Sequence, residues 1–390
     1  MKDFFEESVE RKGTASFKWD MTKEVFKTDT DVLPMWVADM DFRPPKAITD
    51  ALHARVEHGI YGYTYIGDSV VEAITSWLSR RVSWNIKKEW ILYSNGVVPS
   101  IGKAIQALTK PGDKIMIQSP VYPPFFSMVK ENDRVIENCP LVEEKDQYGI
   151  NFDAFEASLK TGVKMFILCH PHNPIGRVWT ETELRKMANL CLENDVIIVS
   201  DEIHSDLVLK PYKHVPMASL SEEIAQQTIT LIAPSKTFNL AGLQASISIT
   251  PNKDFREKIQ DVDKKLGFHT LNTFGILAME MGYRHGEEWL EGLLDYLKGN
   301  VETVENYFKE HLPELKLVPA QATYLLWIDC RKLELSDAKL NKLFVEDGKV
   351  GFNPGTSFGK GGEGFVRMNV ACPQATVLEG LKRMKQAIKG

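Results

Sequence analysis

The chain has 390 residues, 43% of them hydrophobic and 26% charged, a balance ordinary for a globular protein, and the length predicts a large domain joined to a smaller one. With 47 lysines and arginines against 53 aspartates and glutamates, the net charge of -6 gives no electrostatic case for nucleic acid or an anionic membrane. Cys139, Cys169, Cys191, Cys330 and Cys372 stand singly, without the paired spacing of a disulfide framework or a zinc module, so no metal is expected. The N-terminus has no apolar leader core and no run approaches a membrane span, so a cytoplasmic location is expected.

Residues 1 to about 45 lack a long periodic helix. Within them Trp36-Val37-Ala38-Asp39-Met40-Asp41-Phe42 is too apolar for a free tail and is expected to pack as a connector. Tyr61-Gly62-Tyr63-Thr64-Tyr65 reads as a tyrosine-rich loop of the kind found in cores and interfaces. From Ser69 to Val82 apolar residues recur at three and four, which predicts a helix. Trp90 to Tyr93 reads as a strand, followed by Ser94-Asn95-Gly96-Val97-Val98 and a helical pattern through Ile101, Ile105 and Leu108. Such a strand, glycine turn and helix start can aim free backbone N–H groups at an anion such as phosphate.

Lys114 to Gln118 predicts another strand, ending where prolines fix Tyr122. Residues 163 to 169 form an apolar strand closing on His170-Pro171-His172-Asn173-Pro174-Ile175-Gly176, and Thr180 with Glu183 predicts a capping box on the next helix. The two histidines are expected to pack or position the turn. Val196 to Val199 is a buried strand ending at Ser200-Asp201-Glu202-Ile203-His204. Thr228 to Ile232 runs into Ala233-Pro234-Ser235-Lys236-Thr237 and then Gly242. Continuously apolar strands alternating with helices predict a parallel sheet covered on both faces. Arg284 is expected to be a charge at a helix end. From about 285 a long helix, a strand at Tyr324 to Ile328, a strand at Phe365 to Val370 and a last helix predict a smaller α+β domain. The division is 1–50 for an N-terminal arm with part of the small domain, 51–285 for the large domain and 286–390 for the C-terminal small domain.

Asn173, Asp201 and Lys236 each follow the carboxyl end of an apolar strand, and ligands of open α/β sheets bind outside those ends. A lysine desolvated there can act as nucleophile or base. One ligand needs such an amine together with a buried carboxylate, an amide, a stacking aromatic and an anion cradle. Pyridoxal 5'-phosphate (PLP) offers an aldehyde to Lys236, a ring nitrogen to Asp201, a phenolic oxygen to Asn173, a ring face to Tyr122 and a phosphate to Gly96, Val97, Val98 and Ser235.

The order Tyr63, Gly96, Tyr122, Asn173-Pro174-x-Gly176, Asp201, Ser235-Lys236, Gly242, Arg367 resembles the fold-type I PLP enzymes of the aminotransferase class I/II superfamily, across nearly the whole chain. WVADMDF at Trp36 to Phe42, YGYT at Tyr61 to Thr64, SDEIHSD at Ser200 to Asp206, SKTFN at Ser235 to Asn239 and FVRMNVACP at Phe365 to Pro373 resemble its MalY/PatB subgroup of cystathionine β-lyase type. The resemblance implies a PLP-dependent α/β fold: a mostly parallel, seven-stranded-type sheet sandwiched by helices, plus the α+β domain. It implies a homodimer in which Tyr63 reaches the partner's site. It assigns Lys236, Asp201 and Tyr63 to catalysis. It assigns Gly96, Val97, Val98, Tyr122, Asn173, His204, Ser235 and Tyr63 to the cofactor, and Arg367, Asn173, Val37 and Ala38 to the substrate. Two positions depart from the wider family: His204 stands where many relatives have tyrosine, and Gln244 where an arginine commonly holds the phosphate. The expected activity is elimination of a thiol from cystathionine or cysteine S-conjugates. Transamination on the same residues is the alternative, and a regulatory or binding protein that retains the fold is a third reading.

Overall fold

The computed structural model describes every residue except Asp146. Seven strands form the main sheet: β1 (Ile91–Ser94), β2 (Lys114–Ile117), β3 (Val135–Asn138), β4 (Val163–Cys169), β5 (Ile197–Asp201), β6 (Thr228–Ile232) and β7 (Ser246–Ile249), in the order β1-β7-β6-β5-β4-β2-β3. Strands β2 to β6 pair in parallel, and β7 runs antiparallel to both β1 and β6.

The continuous apolar run of β4 is explained by burial on both faces. Phe166 and Leu168 enter one core with Leu184 and Met187 of the helix Glu181–Glu193. Met165, Ile167 and Cys169 enter another with Ile101 and Ile105 of the helix Val97–Leu108. That is the doubly covered sheet expected. The capping box is present, with the Thr180 side chain accepting from the Glu183 N–H and the Glu183 carboxylate accepting from the Thr180 N–H.

Two strands of this sheet escaped the sequence reading. In β7 the alternating Ser-Ile-Ser-Ile looks half-exposed, yet all four residues are buried. Ser246 Oγ donates to the Ser94 carbonyl at 3.0 Å, which removes the cost of burying the hydroxyl. β3 is an edge strand whose outer residues are only partly covered, so it carries no apolar run.

A second sheet holds β8 (Lys316–Leu317), β9 (Leu325–Asp329), β10 (Asn353–Pro354) and β11 (Phe365–Asn369) in the order β8-β9-β11-β10, all antiparallel. The helices Glu287–His311 and Gln374–Lys389 are anchored to each other where the Gln374 N–H donates to the Tyr296 hydroxyl at 2.7 Å. The N-terminal residues pack as expected: Phe5 is fully buried against Phe42, Trp289 and Tyr296, and Leu33–Pro34 pairs in parallel with Val350–Gly351. Trp36, Met40 and Phe42 are buried. All five cysteines are free and buried. Arg284 lies in the last turn of Thr273–His285 and bonds Glu280, a helix-end role as expected. Among the described residues no helix is long and apolar enough to cross a membrane.

Candidate active site

The pocket begins with the turn after β6. Ala233 is extended, and Pro234 opens a short helix, Pro234–Thr237, that carries Lys236. Phe238 locks this helix from behind. It is fully buried, meets Trp77 edge-on at 5.6 Å, and lies so close to Gly282 that a Cβ there would come within 2.7 Å of its ring. Truncating such a side chain costs about 3–5 kcal/mol. Asp206 fixes the same helix by accepting from Thr237 Oγ1 at 2.8 Å and from Trp77 Nε1 at 3.1 Å.

Lys236 Nζ donates to the Ala38 carbonyl at 2.5 Å, and the Tyr324 hydroxyl donates to the same oxygen at 3.0 Å. Burial, seconded by the charge of Arg367, lowers the lysine's pKa to about 8, against the pull of Asp39 and Asp201. Asp201 ends β5, opposite Cys169 in the register with β4. It is 4% exposed, and Oδ1 accepts from the Ile203 N–H at 3.1 Å. No cation lies within salt-bridge distance among the described residues. Burial pushes its carboxyl up to about 7.

Asn173 follows β4 in a turn held by Cys169, whose sulfur accepts from the Asn173 N–H at 3.3 Å. His172 Nε2 pairs with the Pro120 carbonyl at 2.9 Å and His170 Nε2 with the Val215 carbonyl at 3.1 Å, the packing roles expected of them. Gly96 sits at φ +153°, outside the range ordinary residues favour, and releases the chain into the helix Val97–Leu108, which has no side-chain cap. The first N–H groups of that helix therefore have no partner within it.

Lys236, Asp201, Asn173, Gly96 and Val97 line one pocket of about 150 Å³ together with Tyr122, His204, Ile203, Cys169, Ala38 and Val98. His204 is buried, with Nδ1 unpaired. Burial, then the charges of Lys236 and Arg367, lower its pKa to about 3, so its ring is neutral near pH 7. Arg367 stands behind Asn173, 5% exposed. Nη1 donates to Asn173 Oδ1 at 2.9 Å, and Nη2 donates to Asn353 Oδ1 at 2.6 Å and to the Trp36 carbonyl at 3.1 Å.

Not every expected residue meets the pocket. Val37 does not line it; its carbonyl accepts from Asn369 Nδ2 at 2.6 Å, so it acts through the backbone. Ser235 is half-buried outside the pocket's lining, and Gln244 is exposed at the left-handed end of a short turn. Tyr63 is fully exposed on its loop and does not line the pocket of its own chain. Sequence reasoning missed Tyr324, Asn353 and Asn369. A buried asparagine inside the apolar run of β11 was the one available signal, for Asn369.

Residues 30–384 match the family described as aminotransferase class I and II. The chain is 46% identical over 385 residues to cystathionine β-lyase PatB of Bacillus subtilis (strain 168), covering 98% of this chain and 99% of that protein. Among solved structures it is similar to a PLP-bound candidate aminotransferase of Clostridium difficile 630, with TM-score 0.97 and 47% identity over 98% of this chain and 99% of the other. It is also similar to the PLP-containing cystalysin of Treponema denticola, with TM-score 0.96 and 35% identity over 99% and 98%. A pocket built at the carboxyl ends of β4, β5 and β6, on a fold shared along the whole chain, places this protein in the aminotransferase class I and II family.

Proposed function

We propose that the protein is a PLP-dependent carbon–sulfur β-lyase acting on cystathionine or related cysteine S-conjugates. The observation that carries the reading is the convergence of Lys236, Asp201, Asn173 and the start of the helix Val97–Leu108 on one pocket. Elimination is preferred over transamination because PatB, similar over 98% of this chain, is a cystathionine β-lyase.

The residues fit the cofactor. Asp201 is a buried carboxylate without a paired cation, and its raised pKa marks a site that a bound protonated ring nitrogen would relieve. At the other side of the pocket the unpartnered N–H groups at Val97 and Val98 suit a phosphate. When bound, PLP supplies an electrophilic aldehyde and a ring that accepts the electron pair left on the substrate's α-carbon.

Asp201 would keep a proton on the ring nitrogen, Tyr122 would cover one ring face, and Asn173 would donate to the ring oxygen, with neutral His204 beside it. Ser235 would add to the phosphate grip, and Tyr63 would arrive from the second subunit of a homodimer. Arg367 would bind the substrate carboxylate through its planar fork, already aimed by Asn353. With cofactor and substrate bound, Lys236 Nζ would take the substrate's α-proton. At pH 7 a pKa of about 8 leaves about one lysine in ten neutral, against fewer than about one in a thousand for an ordinary lysine. Elimination of the β-thiolate, with water consumed, would give pyruvate and ammonia. Five free, buried thiols suit a reducing compartment such as the cytoplasm.

The test is cofactor titration. The reading expects one equivalent of PLP per chain to develop visible absorbance that is lost in Lys236→Ala; colourless protein at saturating PLP would overturn it.

A further inference from the structure

The segment from Trp36 to Phe42 has no regular secondary structure, yet side chains from distant parts of the chain hold nearly every carbonyl in it. Arg367 holds Trp36, Asn369 holds Val37 and Asp39, Lys236 and Tyr324 hold Ala38, and Asn239 holds Met40 and Phe42. Asn239 lies three residues after Lys236 and also accepts from the Met40 N–H at 2.9 Å, so the lysine turn and this segment form one rigid piece.

The far side of the segment carries two carboxylates facing the N-terminal arm. Arg11 Nη2 lies 2.7 Å from Asp39 Oδ2, Arg11 Nη1 lies 2.6 Å from Asp41 Oδ1, and Lys18 Nζ lies 2.8 Å from Asp41 Oδ2 and 3.9 Å from Asp39 Oδ1. Lys18 is 1% exposed and Asp39 20%, so solvent screens these charges poorly. Asp39 follows directly on Ala38, the residue whose carbonyl holds Lys236 Nζ.

We propose that Arg11 and Asp39 are positioning residues that act on Lys236 from the N-terminal arm, the Asp39 carboxylate attracting its ammonium and the paired Arg11 offsetting that charge. The inference rests on Lys236 being the reacting amine of the function proposed above. Around Lys236 stand Asp39, Asp201, Arg367, His204, Tyr122 and Tyr324. Arg11 and Lys18 are the cations paired with Asp39. Asp39 raises the lysine's pKa where burial and Arg367 lower it. Without Arg11 the Asp39 carboxylate keeps only the longer contact to Lys18, its field at Lys236 grows, and the ammonium form gains. Without the Asp39 charge the amine gains.

The test measures Lys236 itself, by competitive acetylation of the full-length, cofactor-free chain across pH, resolved by peptide mass spectrometry. Arg11→Gln should raise the Lys236 midpoint by about one pH unit, Asp39→Asn should lower it by a similar amount, and the double variant should return near the parent value. A loosened pocket would move both single variants upward towards the ordinary lysine value. That result, or no movement in either, would overturn the proposal. The readout needs no turnover, so a failed lyase assay beside the opposed shifts would sink the proposed reaction and leave this inference standing.

Discussion

Arg367 of β11 donates from Nη1 to Oδ1 of Asn173 at 2.9 Å, a bond across 194 residues that ties the four-stranded sheet to the carboxyl end of the seven-stranded one. Asn353 and the Trp36 carbonyl hold the other end of the guanidinium. The substrate's carboxylate and the cofactor's ring are thereby expected to share one rigid frame. Arg367→Lys keeps a charge but loses the fork, and charge-assisted hydrogen bonds are worth about 1.5–3 kcal/mol. KM for the amino-acid substrate should rise about 10- to 100-fold, with the absorbance of the bound cofactor unchanged; steady-state kinetics with a parallel spectrum check both.

Asp201 gives a pH prediction for the cofactor-free protein. Its folded pKa of about 7 lies above the unfolded value of 3.8, so the folded state binds the extra proton between those limits. Stability from this group is then full below about pH 4 and lost as pH rises to about 7, by roughly 4 kcal/mol. Asp201→Asn should flatten that slope, leaving the cofactor-free variant more stable than the parent above about pH 7 and similar below about pH 4. Adding PLP should reverse the order, since only the parent gains a paired charge. Thermal melts across pH, with and without PLP, measure both effects.

Much of this frame was legible in the sequence because each of its parts has a local cause. The apolar-rich runs of β4 and β6 follow from burial on both faces, and Asp201 and Lys236 were visible as polar residues where such runs stop. β7 was hidden because its serines satisfy their hydroxyls only through tertiary contacts such as Ser246 to Ser94. Tyr324 was read simply as part of an apolar strand, since its hydroxyl finds a partner 286 residues away at Ala38. Asn353 carried no local signal, because its role is defined only by where the guanidinium of Arg367 comes to rest.

His204 lines the pocket with a pKa lowered to about 3 by burial and by the nearby charges of Lys236 and Arg367. It should contribute no ionisation to the pH–rate profile between about 5 and 8. His204→Asn should therefore leave the shape of that profile unchanged while shifting the absorbance maximum of bound PLP. A limb of the profile that disappears in the variant would assign the titration to His204 instead.

Tyr63 is fully exposed beside Tyr61 and Tyr65, at 55% and 84%. In the proposed homodimer, Tyr63→Ala and Lys236→Ala each disable a site, and mixed dimers carry one site with both residues intact. Subunit mixing should restore activity to two separately inactive variants. A fully active monomer by sedimentation would contradict the shared site.

The most direct test of the proposed reaction is the product balance on cystathionine with no keto-acid acceptor present. The lyase reading predicts sustained turnover releasing thiol, pyruvate and ammonia in equal amounts. A single equivalent of a keto acid that still carries the sulfur, followed by arrest until an acceptor is added, would contradict it.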